Sequence, residues 1–190
     1  AQGHTEIVQL LLAVEGVDVN QATTDDGVTP LYVACDQGHA EIVQLLLAVD
    51  GVDVNQATTD DGVTPLYIAC DRGHAAVVQL LLAVDGVDVN QARTGAGVTP
   101  LYIACRQGHM EIVQLLLAVD GVDVNQARTD DGATPLHTAC YRGHTEIVQL
   151  LLAVDGVDVN QARTDDGATP LHFAAYSGHL PVAQYLVVYG

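Results

Sequence analysis

Four cysteines, Cys35, Cys70, Cys105 and Cys140, recur at one spacing, and thiols at regular intervals invite a metal site or disulfides. Neither chemistry suits the spacing. Structural zinc sites draw their thiolates in close C-x-x-C pairs, whereas these cysteines stand 35 residues apart. If they fall on equivalent packed helices, the axes lie about 8–10 Å apart, while a disulfide needs Cα atoms within about 7 Å. The expectation is four reduced, buried thiols filling an alanine-like position, the place Ala175 takes in the last copy. Free thiols imply a reducing compartment, hence an intracellular location, cytoplasmic or nuclear, and no Asn-x-Ser/Thr sequon interrupts the chain.

Other candidate ligands repeat in the same way. His39, His74, His109, His144 and His179 stand one per repeat, too far apart to share a metal, and are expected to bond loops to helices. Asp-Gly-Val-Asp-Val-Asn resembles a calcium loop but lacks the ligand spacing and the distal Glu. No Ser–His–Asp set, carboxylate pair or Gly-rich phosphate loop rises above the repetition. A catalytic site is a unique constellation in a cleft, so the reading is no enzyme, no metal and no cofactor.

Charge narrows the partners. Six basic residues, all Arg, face 24 acids, for a net charge of −18. Nucleic acids and anionic membranes need a basic surface, so both are excluded as partners. A protein with a basic patch would be drawn in by this field. No apolar run approaches the roughly 20 residues of a membrane helix. The start, Ala1-Gln2-Gly3-His4, has neither initiator Met nor signal-peptide character, so an excised piece of a longer protein is expected.

What must position these residues is a repeat. Thr-Pro recurs at Thr29, Thr64, Thr99, Thr134 and Thr169, a step of 35 residues, and Gly-His and Asp-Val-Asn keep the same step. Self-similarity at this period signals a solenoid whose units touch only their neighbours. In residues 126–160, Thr134 is placed to cap a helix that Pro135 begins and Gly143 ends. A second helix is expected from about Thr145, with Glu146 favoured in its first turn. Ile147, Leu150, Leu151 and Val154 form its buried stripe, widened by Val148 and Leu152, and Gly156 stops it. Val157 to Gly167 reads as an extended, hairpin-like finger tipped by Thr-Asp-Asp-Gly.

Thr134-Pro135-Leu136-His137-Thr138-Ala139 and Thr169-Pro170-Leu171-His172-Phe173-Ala174 match the T-P-L-H-x-A signature of ankyrin repeats. With the Gly-His, Glu-Ile-Val-Gln-Leu-Leu-Leu and Gly-Val-Asp-Val-Asn segments, the whole chain resembles that family. Tyr32, Tyr67 and Tyr102 stand where the family has His, and each unit carries two residues beyond the family period of about 33. The resemblance implies an all-α ankyrin-repeat solenoid, residues 1–190, of stacked helix–turn–helix units with β-hairpin-like fingers. It divides into a partial repeat (1–20), full repeats 21–55, 56–90, 91–125 and 126–160, and a C-terminal repeat (161–190).

The family binds proteins on a concave face built by fingers and first helices, and the positions that vary between the copies fall there by family pattern. They are Arg93, Arg128 and Arg163 in the fingers, with Asp130 and Asp131 at a tip, and Asp36, Asp71, Arg106, Tyr141 and Tyr176, with Arg142, at the ends of first helices. Arg and aromatic residues dominate binding hot spots, so the expected site is weighted toward Arg106, Tyr141, Arg142 and Tyr176. A second reading is a structural element that self-associates through its ends: residues 4–14 lack a first helix before them, and Tyr185, Val187, Val188 and Tyr189 are less polar than a solubilising cap. The near-identity of the units also fits a designed or recently duplicated array without a natural partner.

Overall fold

The computed structural model describes residues 2–189, with side chains over 4–188; Ala1 and Gly190, and the Tyr189 side chain named above, lie outside the described residues. Thr-Pro starts each first helix for a local reason. Thr64 takes an extended backbone, and its hydroxyl accepts the amide of Tyr67 at 3.1 Å, as Thr99 does from Tyr102. Proline follows, where its missing N–H costs nothing. The first helices are α2 (Pro30–Asp36), α4 (Pro65–Arg72), α6 (Pro100–Gln107), α8 (Pro135–Arg142) and α10 (Pro170–Tyr176). The second helices are α1 (Gln2–Leu12), α3 (Ala40–Leu47), α5 (Ala75–Leu82), α7 (Met110–Leu117), α9 (Thr145–Leu152) and α11 (Leu180–Tyr189). First helices stack on first helices, second on second, and the two layers meet within each repeat. The described residues are all-helical apart from turns, with no strand.

The core is a thin band between the layers. Leu66, Ala69 and Cys70 from α4 and Val77, Val78 and Leu81 from α5 are buried, and the following repeat supplies the same set in Leu101, Ala104, Cys105, Ile112, Val113 and Leu116. All four cysteines are free and buried, and burial pushes the Cys35 and Cys140 thiols up to about 12. Small side chains are what allow the layers this close approach.

Two sequence motifs turn out to be inter-repeat locks. Gly73 ends α4 with φ of 82°, and a Cβ there would come within 2.7 Å of the His109 ring of the next repeat. That ring bonds the carbonyl of Asp71 through Nε2 at 3.3 Å, and His74 does the same with Asp36 at 3.1 Å. Gly-His is therefore a socket and a plug from adjacent repeats, which carries out the expected bond of loop to helix. The asparagine of Asp-Val-Asn is the second lock. Asn55 donates to the Gly86 carbonyl at 2.8 Å and accepts the Asp88 amide at 2.9 Å, both in the next repeat.

Three local expectations need correcting. The second helix ends at Leu152, not at Gly156; Ala153 is its C-cap, and Gly156 (φ of 85°) serves the turn that follows. Of the expected stripe, Ile147, Leu151 and the flanking Val148 are fully buried, while Leu150, Leu152 and Val154 are only partly buried and pack against the edge of the core. The finger is two successive turns and not an extended ribbon. Its tip does close like a hairpin, with the Arg163 amide bonded to the Ala168 carbonyl at 2.9 Å and the Gly167 amide to the Arg163 carbonyl at 3.2 Å. One backbone bond per repeat joins adjacent fingers, such as Thr164 N–H to the Asp131 carbonyl at 2.9 Å.

Candidate functional site

Fingers and first helices meet along one side of the array, and six of the variable residues gather there. At its C-terminal half lies a cavity of about 440 Å³, lined from α6, two fingers, α8 and α10. Arg106, Arg128, Asp131, Tyr141, Arg142 and Arg163 all line it. An adjoining hollow of about 350 Å³ shares Tyr141 and Arg163 and reaches Tyr176, which is 84% exposed. The remaining sequence candidates lie apart from this cavity. Asp130 is bonded to Arg128 beyond the lining, and Arg93 pairs with Asp61 at 3.2 Å one repeat earlier. Asp36 accepts from Arg72 at 2.8 Å and Asp71 from Gln107 at 2.7 Å, so both carboxylates are engaged within the array.

The cavity has a local cause. In the preceding repeat Val98 and Ile103 fill the corresponding space, only 6% and 3% exposed. Here Ala133 and Thr138 take those positions and leave room. His137 is held rigidly below it. Its Nδ1 accepts the Thr134 amide at 3.1 Å, and Nε2 bonds the Ala168 carbonyl of the next finger at 3.1 Å. Nε2 must then carry the proton, since a carbonyl can only accept. Burial, helped by the charge of Arg163, lowers the His137 pKa against the Ala168 carbonyl, Asp131 and Asp166, so the ring is neutral.

The walls are arginines laid on rings. Arg128 lies over Tyr102, 5.8 Å from its centroid, and Arg163 over Phe173 at 5.3 Å. Phe173 also meets His137 and Tyr141 edge-on at 5.6 and 5.9 Å. Such contacts add about 0.5–2 kcal/mol each. The Nε atoms of Arg128 and Arg163 are buried without a hydrogen-bond partner, under guanidinium groups that rest on these rings. Asp131 sits between them, 3.6 Å from Arg128 and 3.4 Å from Arg163, and Asp165 pairs with Arg163 as well. Burial would lower the Arg128 pKa, but Tyr102 and Asp130 raise it further, and the group stays charged.

Phe173 and Tyr102 were missed as site residues. Phe173 is the chain's single Phe and occupies a position held by Val33, Ile68, Ile103 and Thr138 in the other copies, which is a readable signal. Tyr102 carried none, because Tyr32 and Tyr67 precede it in register and only the Arg128 finger makes it a wall. Among the described residues no group of three or more His, Cys, Asp or Glu side chains could hold a metal ion, and no helix is long and apolar enough to cross a membrane.

A solenoid of paired helices with turn-tipped fingers and an open, charged groove is the architecture of a repeat protein that presents a surface. The chain matches the family described as ankyrin repeats (3 copies) over residues 1–93, 51–128, 84–163 and 101–190, and it belongs to that family. Ankyrin repeats are in general protein–protein interaction modules and typically not enzymes. No curated protein matches the chain.

Proposed function

We propose that this chain is a non-catalytic scaffold that holds a protein partner in the groove between its fingers and first helices, centred on the C-terminal half. One observation carries the reading: four of the six arginines in an otherwise acidic chain converge with Tyr102, Tyr141 and Phe173 on one open cavity. Unconstrained drift would scatter them. Arg and Tyr at the centre of a groove are the residues that anchor interfaces. The acidic fingers of the N-terminal half, at Asp25, Asp26, Asp60 and Asp61, suit a basic flank on the same partner. Four buried free thiols fit a reducing compartment.

The test is calorimetry with a partner purified from the source cell. Tyr141→Ala and Tyr176→Ala should each weaken binding by about 1–2 kcal/mol; the exposed Tyr176 ring should leave thermal unfolding unchanged, while Tyr141→Ala should lower it only by the loss of its edge contact with Phe173, about 1 kcal/mol. Unchanged affinity with lost stability would place these residues in the core and reject the face.

A second reading, self-association through the ends, has its own support. Ile7, Leu10 and Leu11 are 55%, 71% and 55% exposed, and a cavity of about 400 Å³ between α1, α2 and α3 is lined almost wholly by apolar side chains, Leu12, Val19, Val33 and Ile42 among them. At the other end Val187 and Val188 are 70% and 76% exposed. Sedimentation velocity over a dilution series, with hydrogen exchange of residues 4–14, decides it. Constant mass with rapid exchange there would exclude an assembly role.

A further inference from the structure

The cavity between α6, α8 and α10 carries a charge imbalance that its own ion pairs leave unresolved. Arg106, Arg128, Arg142 and Arg163 line it, against a single lining carboxylate, Asp131. Arg128 and Arg163 share Asp131 and are further met by Asp130 and Asp165. Arg106 and Arg142 have no carboxylate within ion-pair distance among the described residues; Arg142 rests only against the Tyr141 ring at 5.9 Å. Both are exposed at the mouth, so two uncompensated guanidinium groups flank an opening that the smaller residues Ala133 and Thr138 provide.

Accepting the groove as the partner's seat, we propose that this cavity is an acidic-peptide subsite: it receives an Asp or Glu side chain of the partner, with a neighbouring apolar residue of that segment against Phe173 and Tyr141. A carboxylate is the planar, monoanionic group that a guanidinium binds through two parallel hydrogen bonds. The aromatic walls thin the surrounding water, which strengthens that pairing. A basic side chain would meet the two uncompensated guanidinium groups of Arg106 and Arg142 at the mouth. A free phosphate suits the site less well, because Asp131, Asp165 and Asp166 stand close by and would repel a dianion. The groove also continues past any single anion, into the hollow lined by Phe173, His172 and Tyr176, which fits an extended segment. At longer range the net charge of −18 opposes an acidic ligand. Added salt should therefore speed association up to physiological ionic strength, the reverse of what a basic ligand would show.

The experiment pans the folded chain against phage-displayed random dodecapeptides and measures synthetic copies of the enriched peptides by fluorescence anisotropy. The expected peptides carry Asp or Glu beside an aromatic or aliphatic residue. Arg106→Gln combined with Arg142→Gln should weaken them about tenfold or more, about 1.4 kcal/mol. Arg72→Gln, an exposed arginine outside the cavity, should change nothing. Replacing the peptide's acid by its amide should cost as much on the native chain and nothing further on the double variant. Both arginines are exposed, so an unchanged melting curve is the control for folding. Peptides that lack acids but lose binding on Tyr141→Ala would overturn the acidic subsite and leave the groove standing. Peptides indifferent to all these substitutions would overturn both. Displacement of the acidic peptides by inorganic phosphate that binds tighter than they do would make this a free-anion site and reject the peptide.

Discussion

Asn90 and Asn160 occupy the same local sequence, Asp-Val-Asn-Gln, yet the two residues that Asn90 holds in the next repeat have no counterpart for Asn160 among the described residues. Asn90 donates to the Gly121 carbonyl at 2.8 Å and accepts the Asp123 amide at 2.9 Å. The side chain of Asn160 makes no hydrogen bond among the described residues and is exposed. Alanine at position 90 removes two hydrogen bonds worth roughly 0.5–1.5 kcal/mol each. Gly121 and Asp123 are themselves exposed, so water recovers part of this, and the expected loss is about 1–2 kcal/mol. The same change at position 160 should stay within about 0.5 kcal/mol. Local propensity is nearly matched between the two sites, so the difference isolates the inter-repeat lock. Urea unfolding followed by far-ultraviolet circular dichroism measures both. Asn90→Ala should also broaden the transition, because a weakened interface uncouples the halves of a solenoid. Equal losses at the two positions, or a loss at 90 below about 0.5 kcal/mol, would refute the lock.

Filling the cavity with the residues of the preceding repeat, Ala133→Val and Thr138→Ile, should stabilise the array by about 1–2 kcal/mol, from about 0.8 kcal/mol per buried methylene, and abolish partner binding; a stable variant that still binds would move the site elsewhere. The depressed pKa of His137 means that its neutral form belongs to the folded state and that protonation favours the unfolded chain. Its contribution is therefore complete above about pH 6.5, the unfolded value, and declines as the pH falls below it. Denaturation midpoints taken from about pH 7 to 5 should fall more steeply for the native chain than for His137→Tyr, the residue type found at Tyr102, and parallel slopes would dismiss the effect. Native-state thiol labelling should be slow at all four cysteines, whose side chains are buried and whose pKa values burial raises, and rapid once urea is added; fast reaction of all four in the folded chain would contradict the packing.

Much of this was written in one dimension. The 35-residue period, the Thr-Pro helix starts and the Gly that closes α8 follow from backbone rules acting over a few residues, so the sequence alone determined a helical solenoid of ankyrin type. It also determined that the cysteines sit in the core, because a small apolar residue at a constant register in a helix can only be facing a constant neighbour. The sequence places the end of the second helix too late, since Gly156 is a strong local stop signal but the chain already turns off the helix after Leu152, with the Val154 amide bonded to the Leu151 carbonyl at 3.1 Å. Only the tertiary structure decided what the variable positions do. Asp36 and Arg106 share a register, yet Asp36 is tied to Arg72 of the next repeat while Arg106 stands at the mouth of a cavity. That cavity exists because Ala133 and Thr138 are small and Phe173, in the following repeat, is large, a fit between residues tens of positions apart. Periodicity reports how each repeat resembles the next; a groove is made where adjacent repeats differ, and those differences acquire meaning only when the stack brings them within a few ångströms.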